Sequence, residues 1–302
     1  MSTEPAIEFE DFAGEQAALI SWPEPIAASA LCEAPPATPP ALIEGILYRG
    51  GTMMISGPSK SRKTYTMLDA GISISSGEQW LGFGTDRTPV LYLNLELQDF
   101  DAQRRIASIC SARGIRPPDD LHLWNLRGRR VTLAELRSRL PAKIAETGAG
   151  FVAIDPHYKV SAVSGFEENS NDGQGDLLMS LEEIVTPSGA ALALSHHFAK
   201  GDPSAKNAID RASGGGVMAR WGDVMMTFTP HAEEGAMSVE MALRNFAPVA
   251  PFVVRWNHPR WARDGQLDPA KLKRSAGRTE TNTADKAMES LGDGLLGWSE
   301  LR

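Results

Sequence analysis

The residues best suited to chemistry are Gly57-Pro58-Ser59-Lys60-Ser61-Arg62-Lys63-Thr64, which nearly match the phosphate-loop pattern G-x-x-x-x-G-K-[ST]. They follow a short apolar run and precede a helical pattern. A loop leading into a helix aims backbone N–H groups at phosphate oxygens, and the helix N-terminus adds positive potential. Lys63 would reach the β- and γ-phosphates of ATP and the Thr64 hydroxyl would bind Mg2+, with residues 57–65, Tyr65 included, forming the bed for the nucleotide. The pattern departs at Arg62, where glycine is usual. A side chain is tolerated there if the backbone is already right-handed and helical, which is the expectation at a helix start.

Two carboxylates stand at the ends of apolar runs: Phe151-Val152-Ala153-Ile154 leads to Asp155, and Val90-Leu91-Tyr92-Leu93-Asn94-Leu95 leads to Glu96. Ligands of open α/β sheets sit at the carboxyl edge of the strands, where such acids would lie. Asp155 suits a Walker B acid that holds the water shell of Mg2+. An apolar run ending in Asp is also a common strand end, and the pairing with the phosphate loop is what gives it meaning. Glu96 is the candidate base that orients and polarises an attacking water, a surface strand-end Glu being the alternative. A further run ends Leu194-Ser195-His196-His197. Neighbouring residues on a strand point to opposite faces, so at most one histidine faces the site. His197 is the candidate sensor of the γ-phosphate, with a purely structural histidine as the alternative. Two alternately facing histidines make poor joint metal ligands, and no Cys/His cluster suggests zinc.

These residues need a frame, and the pattern from Gly51 onward supplies one. Short apolar runs at 52–56, 90–95, 121–126, 151–154 and 190–195 alternate with helical stretches at 63–75, 101–113, 132–146 and 176–185. That rhythm is the signature of βαβ units in a mainly parallel twisted sheet covered by helices on both faces. Thr132-Leu133-Ala134-Glu135 reads as a capping box. After a Gly/Ser/Asp-rich loop, runs at 223–229, 237–243 and 252–256 read as consecutive antiparallel strands extending one edge of the sheet. The expected organisation is an acidic, proline-rich disordered arm over 1–40, an ATPase core over 41–262, and a polar tail over 263–302 that ends in the start of a helical module.

Composition bounds the partners. The 302 residues hold no apolar run approaching the ~18 residues of a membrane span. Only Cys32 and Cys110 occur, and no secretion signal is evident, so a reducing cytoplasm is the expectation. Taken over the whole chain, the net charge of −8 argues against nucleic acid. Yet Glu4, Glu8, Glu10, Asp11, Glu15, Glu24 and Glu33 all fall in residues 1–40, which lack Lys and Arg; removing those seven acids leaves −1 for the rest. A local basic face is therefore open to the core.

The ordered series Gly57 to Thr64, Leu91 to Glu96, Ile154-Asp155-Pro156, Glu167-Glu168-Asn169-Ser170, Leu194 to Lys200, Arg211 to Trp221 and Arg244 to Phe252 resembles the RepA-type plasmid replicative helicases, relatives of the RecA-like phosphate-loop ATPases. The resemblance implies an AAA-family, RecA-like core in a homo-oligomeric ring, usually a hexamer, with ATP and Mg2+ between subunits and DNA as partner. Carried over, it makes Lys63 and Thr64 the phosphate and metal ligands, Glu96 the base, Asp155 the Walker B acid and His197 the sensor. Arg220 matches the arginine finger that reaches a neighbour's ATP, a role suited to a planar, always charged fork, and Arg211 matches less closely. By the same analogy the loops after the fourth and fifth strands would face the strand, offering His157, Tyr158, Lys159, Lys200 and Lys206. Three readings stay open: a ring-forming DNA motor, an ATP-dependent DNA-binding or regulatory protein without unwinding, and an inactive nucleotide-binding scaffold.

Overall fold

A computed structural model describes residues 24–164, 171–197 and 220–273. Contacts divide the chain into Met1–Thr38 and Pro39–Arg302. In the first unit the described part holds one short exposed helix, α1 (Ala28–Glu33), with no side-chain cap and no buried residue.

In the second unit, the apolar runs become strands because most of them bury both faces, the run at 121–125 being only half-buried. Along them, side chains alternate between two clusters: Met53, Ile55, Val90, Tyr92, Phe151, Ala153, Ala191 and Ala193 point to one, and Met54, Leu91, Leu93, Val152, Ile154, Leu192 and Leu194 to the other. A two-stranded hairpin, β1 (Ala41–Ile43) with β2 (Leu47–Tyr48), precedes β3 (Thr52–Gly57), which leads into α2 (Lys63–Ser76). Then come β4 (Val90–Asn94), α3 (Asp99–Arg113), β5 (Leu121–Asn125), α4 (Leu133–Thr147) and β6 (Phe151–Asp155). After α5 (Tyr158–Ser164) and α6 (Asn171–Val185), a short 3-10 turn leads to β7 (Ala191–His197). The remaining strands are β8 (Val224–Pro230), β9 (Ala236–Leu243), β10 (Phe252–Asn257) and β11 (Arg260–Asp264).

All strands from β3 onward form one nine-stranded sheet in the order β11-β10-β9-β8-β3-β7-β6-β4-β5. Helices α2 and α3 pack their buried residues into the first cluster, α4 and α6 into the second, so helices cover both faces. Strand β8, expected to open the antiparallel run, pairs parallel to β3; antiparallel pairing starts between β8 and β9 and continues to β11. The capping box is present: Glu135 N donates to Thr132 Oγ1 at 3.2 Å and Thr132 N to Glu135 Oε2 at 2.9 Å. Strand β11 carries the sheet past Ala262 to Asp264, and Leu272 bridges to His231. Among the described residues no helix is long and apolar enough to cross a membrane.

Candidate phosphate-binding site

Three register relations bring the predicted residues together. Parallel pairing sets Gly57 of β3 beside His197 of β7, and Asn94 of β4 beside Asp155 of β6. Ile154 pairs with Leu194, so Asp155 and Ser195 follow side by side. The carboxyl ends of β3, β4, β6 and β7 thus meet around one cavity of about 340 Å3, lined by Lys60 through Tyr65, Glu96, Leu97, Arg105, Asp155 and His197.

The loop is shaped by close approach and by unusual backbone. A Cβ on Gly57 would stand 2.8 Å from Ser61 Oγ and 3.3 Å from Phe228 O, so this position needs glycine. Helix α2 begins without a side-chain cap, which leaves its first amides for a ligand. The right-handed backbone expected at Arg62 is not found. Arg62 is left-handed, with φ 63° and ψ 29°, and Lys60 likewise has φ 64°. The loop keeps the conformation that glycine usually supplies, although a non-glycine residue there costs about 1–2 kcal/mol. A compensating contact comes from the far edge of the sheet: the Arg62 guanidinium lies 4.5 Å from the Trp256 ring centre and 5.5 Å from that of Trp261. Trp256 also packs edge-on against Tyr65, Trp261 and His258.

The same hairpin fixes α2. Trp261 Nε1 donates to Thr66 Oγ1 at 3.2 Å, and Thr66 N and Oγ1 donate to Arg62 O. Asp69, one turn further, accepts from Arg113 of α3 and Arg260 of β11, each at 2.9 Å. Asp69 and Arg113 are almost wholly buried and Arg260 is partly exposed, so the inner pair is desolvated and losing either of its members strands a buried charge.

Lys63 is the electrostatic centre. Its Nζ donates to Gly57 O and Pro58 O, both at 2.9 Å, and to His197 Nδ1 at 3.0 Å. Burial drives its pKa down to about 8, against the pull of the Asp155 and Glu96 carboxylates, which raise it. An ammonium only donates, so His197 Nδ1 accepts and the ring proton sits on Nε2, a donor available to a phosphate oxygen. Burial, then the Lys63 charge, lowers the pKa of His197, which favours this neutral form. The partner histidine takes the other face, as alternation demands. His196 is buried beside His157, with ring centres 5.2 Å apart, and burial lowers its pKa to about 3.

Asp155 is buried, and its oxygens accept from Tyr92 OH at 2.6 Å and from Ser195 Oγ. Burial, then the Asp155 carboxylate, pushes the Tyr92 phenol well above its usual range, so it remains a donor. Glu96 is exposed at the cavity rim, its backbone N–H donating to Asn94 Oδ1 at 3.3 Å. Arg220 is exposed and does not line this cavity; its carbonyl accepts from Arg244 Nη2, and Arg244 pairs with Asp223 at 3.2 Å. Of the other predicted residues, Lys200, Lys206, Arg211 and 167–170 lie outside the described residues. Residues the sequence reading did not single out include Arg105, whose guanidinium stands 4.6 Å from the Tyr65 ring centre at the cavity wall. Tyr92 and Ser195 are further additions; each is a polar group inside an apolar run, the one available signal.

The residues fit a nucleotide phosphate. Ser61 Oγ is buried in the loop without a hydrogen-bond partner, Lys63 is a desolvated cation without an ion pair among the described residues, and both line the cavity. They also fit a Mg2+ that arrives with phosphate. Thr64 and Asp155 line the cavity, while no group of three His, Cys, Asp or Glu among the described residues could hold a metal alone.

A mainly parallel sheet with a phosphate loop at its carboxyl edge defines a phosphate-loop ATPase of RecA-like architecture. The chain matches the AAA domain family over residues 24–203 and belongs to it. Its fold is similar to the solved ATPase domain of G40P, with a TM-score of 0.55 at 10% identity, covering 78% of this chain and 95% of that one. No curated protein matches the chain.

Proposed function

We propose that the protein is an ATP-hydrolysing motor that acts on DNA, assembles as a homo-oligomeric ring, and serves as a RepA-type replicative helicase of a plasmid, phage or similar element. The observation that carries the proposal is the convergence of Lys63, Asp155, Glu96 and His197 on one cavity at the sheet's carboxyl edge. In this reading the amides at the start of α2, the Ser61 hydroxyl and the Lys63 ammonium bind the β- and γ-phosphates. Glu96, exposed at the rim, accepts a proton from the water that attacks the γ-phosphorus as the bond to the β-γ bridging oxygen breaks. His197 donates Nε2–H to a γ-phosphate oxygen. Thr64 and Asp155 would hold Mg2+, Asp155 through water because Tyr92 and Ser195 already bond to its oxygens; when bound, the ion neutralises phosphate charge.

Arg220 supplies the remaining positive charge to a neighbour's site. Its exposure and its absence from the lining of its own chain's cavity support this reading. The free thiols, Cys32 exposed and Cys110 buried, suit a reducing compartment such as the cytoplasm. The test is ATP turnover and strand displacement with and without single-stranded DNA, together with a native mass. DNA-stimulated turnover with unwinding and a ring mass is the expected result. Stimulated turnover without strand displacement would replace the helicase by an ATP-dependent DNA-binding protein.

A further inference from the structure

Most arginines of the described core are committed. Arg49, Arg87, Arg113, Arg137, Arg244, Arg255 and Arg260 pair with acids, and Arg62, Arg105 and Arg263 lie on aromatic rings. Arg127, Arg129, Arg130 and Arg139 have neither kind of partner among the described residues. The first three occupy the loop between edge strand β5 and α4, turned at Gly128 with φ 77°. Arg139 is two turns along α4. All four are exposed.

This loop separates two clefts of about 600 and 610 Å3 that share Gly128 through Val131. One cleft adds Arg139 and the half-buried ring of Trp124. The other adds Arg127 and Lys159, and reaches Glu96 at the rim of the phosphate cavity. The acids of the two clefts are Glu96 and Glu135. Glu135 is occupied in capping α4, and its carboxyl is held below the usual range by its bonds to Thr132, with Arg139 and Arg130 adding to the effect. Four guanidinium forks and an ammonium face only these two carboxylates, so the clefts keep an excess of positive charge that a polyanion relieves.

We infer that the clefts on either side of the 127–130 loop bind single-stranded nucleic acid, the phosphates lying along Arg127, Arg129, Arg130, Arg139 and Lys159 and a base stacking on Trp124. A planar aromatic beside arginine forks is what separates a nucleic-acid groove from a simple anion site. The position on an edge strand leaves the groove open at the side, so a strand enters without threading. This deepens the proposed DNA-acting function by naming where a strand lies. It also places that strand against the residue assigned to orient the attacking water, which gives occupancy of the groove a direct route to turnover.

The test measures binding of a fluorescent twenty-nucleotide oligodeoxythymidylate to the full chain. Arg129→Glu/Arg130→Glu should weaken it about tenfold or more, whereas Arg104→Glu/Arg116→Glu, an equal charge change at two exposed arginines elsewhere, should have little effect. In Arg129→Ala/Arg130→Ala the slope of log affinity against log salt should fall by about 1.4 from the wild type. Unchanged nucleotide affinity reports an intact fold in each variant. Equal affinity and salt slope in wild type and variants would overturn the site while leaving DNA action standing, and absence of oligonucleotide binding by the wild type would overturn both. Inorganic polyphosphate binding as tightly as the oligonucleotide would overturn the nucleic-acid assignment. Loop-dependent oligonucleotide binding without ATP turnover would sustain this inference and overturn the motor.

Discussion

Replacing Arg62 separates the two demands that the turn before Lys63 places on this position. The left-handed backbone costs a non-glycine residue about 1–2 kcal/mol, and the half-buried contact with Trp256 and Trp261 returns about 0.5–2 kcal/mol. Arg62→Gly removes both terms, so its stability should stay within about 1 kcal/mol of the wild type. Arg62→Ala keeps the backbone cost and loses the ring contact, and should be the least stable of the three by about 1 kcal/mol. Urea unfolding measures the order directly, provided the slope is unchanged. A double-mutant cycle with Trp256→Leu isolates the ring contact: Arg62→Ala should cost less in that background, with a coupling of about 0.5–2 kcal/mol. Because the same turn aims the first amides of α2, nucleotide affinity should follow the same order. Additive effects within about 0.3 kcal/mol, or an alanine variant as stable as the glycine variant, would refute the compensation.

Buried titratable groups give two pH signatures. The folded chain keeps His196 neutral to about pH 3 while the unfolded chain protonates it near 6.5, so stability should fall by about 1.4 kcal/mol per pH unit below that value. His196→Leu should lose that component, and identical profiles for the two proteins would contradict it. Lys63 releases its proton near pH 8 when folded but near 10.5 when unfolded, so its contribution to stability rises between those values. Lys63→Met should therefore exceed the wild type by about 3 kcal/mol at pH 7, with the difference closing by pH 10.5; a constant difference would contradict the desolvated ammonium. Arg220→Ala and Glu96→Ala should each bind nucleotide without turnover, and their mixture should recover activity if neighbours share a site; no recovery at any mixing ratio would remove the finger in trans.

The parallel strands were legible because burial on both faces turns them into unbroken apolar runs, and the phosphate loop because it stands between such a run and a helix. The two candidate acids and His197 were legible for the same reason: each ends a run, and one sheet edge collects them. What sequence does not display is compensation across distance. Nothing in the type of Arg62 signals a left-handed turn, and the rings beneath it lie in a hairpin at the opposite end of the core. The end of strand β11, Arg263-Asp264, reads as the start of a polar tail because its charges serve other elements: Arg263 binds Leu81 O and covers Phe83 and Phe252, as Arg260 in the same strand binds Asp69. The bonds of Tyr92 and Ser195 to Asp155 depend on register among three strands, which local pattern does not specify. The arginines after β5 are a short charged run in sequence, and they acquire meaning from the clefts around them.

The role of Lys63 in a phosphate loop that hydrolyses ATP is open to a single assay. Steady-state phosphate release from ATP with Mg2+, measured for the wild type and for Lys63→Ala of equal helical content, tests it most directly. Turnover is expected in the wild type and its loss in the variant, accompanied by weakened nucleotide binding. Turnover in Lys63→Ala at the wild-type rate would contradict it.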